Sequence, residues 1–147
     1  MRKHWNVFAL TIVISFMITG CSLFTSHYDA TRHENFTRLK AFHIKFIEDY
    51  TEGSGKEWNK QAILEICDQG DLKFKEALVY AASKDTKDNT GANAVRYLRD
   101  QFKENCSSLL KRKVLFSKGF SAELVKELEL QYDYAIAGEL RRVGAPQ

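Results

Sequence analysis

The chain has 147 residues, is 44% apolar and 28% charged, and contains one proline, a composition that suits a folded domain of ordinary size and excludes wholesale disorder. Twenty-two Lys and Arg against nineteen Asp and Glu give a net charge of +3, which becomes +1 when Arg2 and Lys3 are set aside. That near-neutral balance argues against nucleic acid as a partner, because phosphate binding needs a field of clustered cations, and no nucleic-acid-binding motif is present.

Arg2, Lys3 and His4 form a short basic head, followed by the mostly apolar run VFALTIVISFMI from Val7 to Ile18. The run is shorter than the roughly 20 residues a membrane-spanning helix needs, and a basic head before an apolar core is the anatomy of an export signal. Ile18-Thr19-Gly20-Cys21 follows at once. This segment resembles the lipobox of bacterial lipoproteins, with a branched apolar residue three places before the cut, small residues beside it, and a thiol able to carry diacylglycerol. The resemblance covers residues 1–21 and implies cleavage before Cys21, so that residues 1–20 are a signal peptide and residues 21–30 a lipidated cysteine and polar tether. Ser22, in place of an aspartate, implies sorting to the outer membrane with the domain facing the periplasm. Several acyl chains, at about 0.8 kcal/mol per buried methylene, would make attachment through Cys21 to membrane lipid effectively permanent.

Residues 31–147 carry four helical patterns separated by short breaks, with no competing strand alternation. In the first, Thr31 and Glu34 form a capping-box pattern, and Phe36, Leu39, His43, Phe46, Ile47 and Tyr50 recur at helical spacing until EGSG at 52–55. Ser54 and Glu57 suggest a second capping box, followed by a stripe of Ile63, Ile66, Cys67, Phe74, Ala77, Leu78 and Ala81. Gly70 lies in that seam, where it either admits a neighbouring helix or kinks its own. The third pattern begins near Asn89 and carries Val95, Leu98, Phe102, Cys106 and Leu109. SKGF at 117–120 reads as a break, and Ser121 as the cap of a fourth helix bearing Leu124, Leu128, Tyr132, Ala135 and Ile136. Four such helices with short connections predict an all-α, up-down-up-down four-helix bundle.

With Cys21 assigned to lipid, Cys67 and Cys106 remain. An even remainder in an oxidising compartment favours one disulfide. The turn signal DTKD at 85–88 sits midway: Cys67 lies 19 residues before Thr86 and Cys106 lies 19 after Lys87. Antiparallel helices joined there would bring both cysteines to one height, and the closed loop would contribute roughly 3–4 kcal/mol in the chain-entropy view.

Motifs for catalysis are missing from the sequence: there is no Gly-x-Ser-x-Gly, His-Glu-x-x-His or phosphate loop, and the expectation is a protein that is not an enzyme. His27, His33 and His43 share no ligand spacing, and both methionines, Met1 and Met17, fall in the signal segment, so no metal or cofactor is expected. His43, on an apolar face, reads as a core histidine. Phe42 at the edge of its stripe and Trp58 at the opening of its helix are candidate partner anchors. Lys111, Arg112 and Lys113 form a basic cluster at the end of the third helix, opposite the tether. Arg141 and Arg142 would lie near the anchor, where each basic residue gains about 1 kcal/mol beside anionic headgroups. Cations at helix carboxyl ends also complement the helix dipole, which accounts for both clusters without a partner. The expected function is a membrane-anchored protein-interaction module of the envelope-assembly, immunity or exclusion type, with an envelope, toxin or phage protein as partner. The alternative is a helical-bundle carrier of a hydrophobic ligand or cofactor, its pocket lined by aromatic rings between helices.

Overall fold

Apolar residues at three- and four-residue spacing form the helices where the sequence predicts them. In the computed structural model, which describes residues 29–85 and 89–141, α1 spans Ala30–Asp49, α2 Lys60–Lys84, α3 Thr90–Arg112 and α4 Lys118–Arg141. None of the described helices is long and apolar enough to cross a membrane. Residues 1–28, with Cys21 and the lipobox, lie outside the described residues, as do Thr86, Lys87 and Arg142; Arg141 closes α4.

The helix starts differ from expectation, because side chains nearer the true first turn reach the free amides. Asp29, not Thr31, caps α1, accepting from Thr31 N and Arg32 N. Asn59 caps α2 through Ala62 N, while Ser54 folds back to donate to the Asp49 carbonyl at 2.7 Å. Asn89 makes no side-chain cap bond. Asp85 Oδ2, from the end of α2, accepts instead from Ala92 N at 2.7 Å. SKGF is no break: α4 has already begun at Lys118, with Ser117 Oγ accepting from Phe120 N at 3.4 Å. Ser121 is buried, and its hydroxyl accepts from Thr51 Oγ1 at 2.6 Å.

Contacts between helices give the register. Tyr80 donates to Asp29 and Lys73 lies over the Phe42 ring, so α2 runs antiparallel to α1. Arg99 donates to Asp71 at 2.7 Å, and Cys67 is bonded to Cys106 with Cα atoms 6.0 Å apart, which sets α3 antiparallel to α2. Arg32 meets Glu139, Lys40 meets Asp133 and Thr51 meets Ser121, placing α4 antiparallel to α1. The result is an up-down-up-down four-helix bundle braced by one disulfide, and Asp29–Glu139 form one compact unit. The two connections at the far end from Ala30 are joined: Phe116 N donates to the Tyr50 carbonyl and Glu52 N to the Phe116 carbonyl, a single parallel bridge that buries Phe116 completely.

At mid-height, Phe102 is fully buried and packs against Phe42, His43, Phe46 and Phe74. Gly70 is what lets it in. A Cβ at that position would overlap the Phe102 ring and lie 2.7 Å from Phe42 Cε1, so the glycine serves close packing within an unbroken α2. Gly70→Ala is therefore expected to destabilise the fold by about 1–3 kcal/mol despite alanine's better helix propensity, because the deepest overlap is with the fully buried Phe102 ring. Urea unfolding measures this as a lower midpoint; a midpoint equal to or above that of the parent would contradict the close approach.

Candidate functional site

Three groups of polar side chains stand out against the apolar packing. The first is internal. His43 on α1 is completely buried, with Nε2 3.0 Å from Asn105 Nδ2 on α3 and Nδ1 3.3 Å from the Tyr132 hydroxyl on α4. Phe74, Phe102 and Tyr132 each present a ring edge-on to the imidazole. Burial lowers the His43 pKa from its ordinary 6.5 to about 3, and pushes that of Tyr132 well above its usual range. Both groups stay neutral at physiological pH, so this is a polar tie between three helices.

A second internal cluster closes the end of the bundle where α1 starts. Arg32 Nη1 lies 2.8 Å from Asp85 and 3.2 Å from Glu139, with all three side chains 5% exposed or less. Gly91 leaves room for it, since a Cβ there would approach Arg32 Nη1 to 2.5 Å. The guanidinium thus ties the first turn of α1 to the ends of α2 and α4. Its loss would remove a buried cation from between two buried carboxylates, a kind of change that typically costs about 3 kcal/mol or more.

The opposite pole is exposed and basic. Lys111, Arg112 and Lys113 are all exposed, and Lys113 ends α3 in the left-handed conformation at φ 57°. Lys118, from the start of α4, lies across Gly53 of the first connection. Arg112 stacks over the ring of Phe120 at 5.4 Å, and that ring rests on buried Phe116 at 5.5 Å while remaining 44% exposed. Spacing offers Val114 as the end of the third apolar stripe, but it lies past the helix and is exposed, while Lys118 and Phe120 carry no sequence signal because SKGF reads as a break.

Phe42 and Trp58, read from the sequence as exposed anchors, are engaged inside the fold. Phe42 is half-buried on Phe102 beside Gly70. Trp58 precedes α2 and does not open it; its indole N–H donates to the Leu109 carbonyl at 3.1 Å, satisfying a carbonyl in the last turn of α3. Cys67 and Cys106 line a groove of about 430 Å3 on the α2–α3 seam together with Asp71, Phe102, Lys103 and Lys111. Arg99, with help from Lys75, holds Asp71 at a pKa of about 2, so its charge is already paired. The axis between the helices, where a bundle carrier would hold its ligand, is filled by Phe74, Phe102, His43 and Tyr132.

Comparison with protein-family models, curated proteins and solved structures finds no match to this chain.

The neutral, buried imidazole has a consequence for stability. The unfolded chain takes up a proton at His43 near pH 6.5, whereas the fold resists doing so until about pH 3. Stability is therefore fully present above pH 6.5 and is lost as pH falls through that window, by up to about 1.4 kcal/mol per pH unit from this one group. Urea unfolding at pH 7, 6 and 5 reads the slope, and His43→Gln should flatten it while starting from a lower stability at pH 7. A slope unchanged by the substitution would contradict a buried neutral His43.

Proposed function

We propose that this chain is a bacterial lipoprotein, held at the outer membrane by acylated Cys21 and facing the periplasm, whose helical bundle acts as a protein-interaction module. The observation that carries the reading is the basic head, apolar core and Ile18-Thr19-Gly20-Cys21 in their working order. The Cys67–Cys106 bond supports it, because a structural disulfide belongs in an oxidising compartment and leaves Cys21 as the odd cysteine. Attachment would begin nine residues before Ala30, where α1 starts at one end of the bundle. The other end of the bundle lies about the length of α1 from that start, roughly 30 Å at 1.5 Å per residue.

The assignment to recognition follows from what the described surface offers. Polar groups in the interior tie helices together, while Lys111, Arg112, Lys113 and Lys118 stand exposed with Phe120 and Val114 at the pole opposite Ala30. Envelope assembly, immunity and exclusion are the classes of work that suit such a build, with an envelope, toxin or phage protein as the partner.

Replacing Cys21 tests the anchor. In Cys21→Ser the protein should leave the membrane fraction or accumulate as an uncleaved precursor, and metabolic labelling with a palmitate analogue should disappear. Normal processing and labelling in that variant would overturn the lipoprotein reading.

A further inference from the structure

Between residues 111 and 120 the sequence carries four cations, Lys111, Arg112, Lys113 and Lys118, and no acidic residue. Among the described residues none of the four pairs with a carboxylate, whereas Lys45 and Lys56, close by, are both bonded to Asp49. Helix dipoles account for Lys111, Arg112 and Lys113 at the carboxyl end of α3. They do not account for Lys60 and Lys118, which stand in the first turns of α2 and α4 where cations oppose the dipole and acids are favoured. Neither first turn contains an acid. The first connection brings exposed Glu52 and Glu57 to the same pole, where the cations outnumber them, and Lys60 and Lys118 stand where helix electrostatics alone would oppose them.

Two apolar side chains sit within that field. Val114 is 54% exposed, and Phe120 is held between the Arg112 guanidinium and the buried Phe116 ring with 44% of its surface free. The platform beneath them is fixed by the bonds between Phe116, Tyr50 and Glu52 and by the Trp58 indole on Leu109. A pre-formed aromatic anchor ringed by cations is the complement of a segment that carries carboxylates and an apolar side chain.

We propose that this pole is the docking surface of the bundle and that its occupant is an acidic segment of another protein bearing an apolar residue. The proposal rests on the interaction-module reading and names the surface and the partner's chemistry. Carboxylates would meet Arg112, Lys113 and Lys118, and the apolar side chain would pack on Phe120 and Val114. Charge would govern encounter and register, while contact with the ring would govern dwell time.

The test is photocrosslinking in living cells with the full-length chain, placing the reactive side chain at Val114, or at Val79 and Tyr134 on the outer faces of α2 and α4, and sequencing the attached segment by mass spectrometry. The expected result is an adduct from position 114 to a protein segment of net negative charge, reduced about fivefold or more by Lys111→Glu/Arg112→Glu/Lys113→Glu and, independently, by Lys118→Glu. Circular dichroism confirms that each variant is folded, and the two variants lie on different helices, so that a local folding defect in one leaves the other to decide. Adducts only from positions 79 or 134, or an adduct at 114 to lipid, to glycan or to a segment without net negative charge, would overturn the pole while leaving the anchor intact. An adduct that survives both charge reversals would do the same. No protein adduct from any position would overturn the interaction-module reading with it.

Discussion

The bundle depends on one layer, where Phe102 and His43 meet. Phe102 from α3 lies against Phe42, His43 and Phe46 of α1 and Phe74 of α2, and His43 in turn reaches Asn105 of α3 and Tyr132 of α4. All four helices are thus joined within one turn of each other. The ring needs Gly70 to occupy that place, and the imidazole needs two polar partners to be buried without a large desolvation penalty. The Cys67–Cys106 bond lies one turn from the same layer, three residues before Gly70 and four after Phe102, so covalent and apolar constraints act on the same register. A closed loop of 39 residues adds about 4 kcal/mol by restricting the unfolded chain.

From this layer the two ends of the bundle diverge in character. One end is shut by Arg32 with Asp85 and Glu139, a buried charge cluster that fixes the entry of α1. At the other, Phe116 and the Trp58 indole zip two connections together, and Lys111, Arg112, Lys113 and Lys118 stay outside, exposed and without a carboxylate partner among the described residues. Rigid backbone with a free positive surface suits recognition, because a partner meeting it loses little entropy in ordering the platform. The internal tie stays neutral in the fold at pH 7, so its contribution to stability weakens only as pH falls below about 6.5.

Much of the architecture is legible in the amino-acid sequence, for physical reasons that are local. Helical stripes announce themselves through apolar spacing, and the even remainder of cysteines together with the symmetric placement of Cys67 and Cys106 about the DTKD turn signal favours their pairing, which the structure shows. Helix starts are less legible, since Asp29 and Thr31, or Asn59 and Ser54, offer equivalent oxygens and only the backbone path decides which one reaches a free amide. Asp85 illustrates the limit: it ends α2, caps α3 and pairs with Arg32 of α1, roles that depend on three elements meeting. The same holds for the distal pole. KRK at 111–113 is visible as a cluster, but Lys118 and Phe120 join it only because a single bridged residue, Phe116, draws two connections together. Trp58 misleads for the converse reason, as an aromatic before a helix looks free until its N–H finds a carbonyl 51 residues away.

The disulfide that braces the bundle and the proposed lipidation of Cys21 are addressed by one measurement. Full-length protein extracted from the membranes of its own cells, digested without reductant and examined by mass spectrometry, should yield an acylated peptide beginning at Cys21 and a crosslinked pair containing Cys67 and Cys106. Free thiols at Cys67 and Cys106 together with an unmodified, uncleaved amino terminus would contradict both.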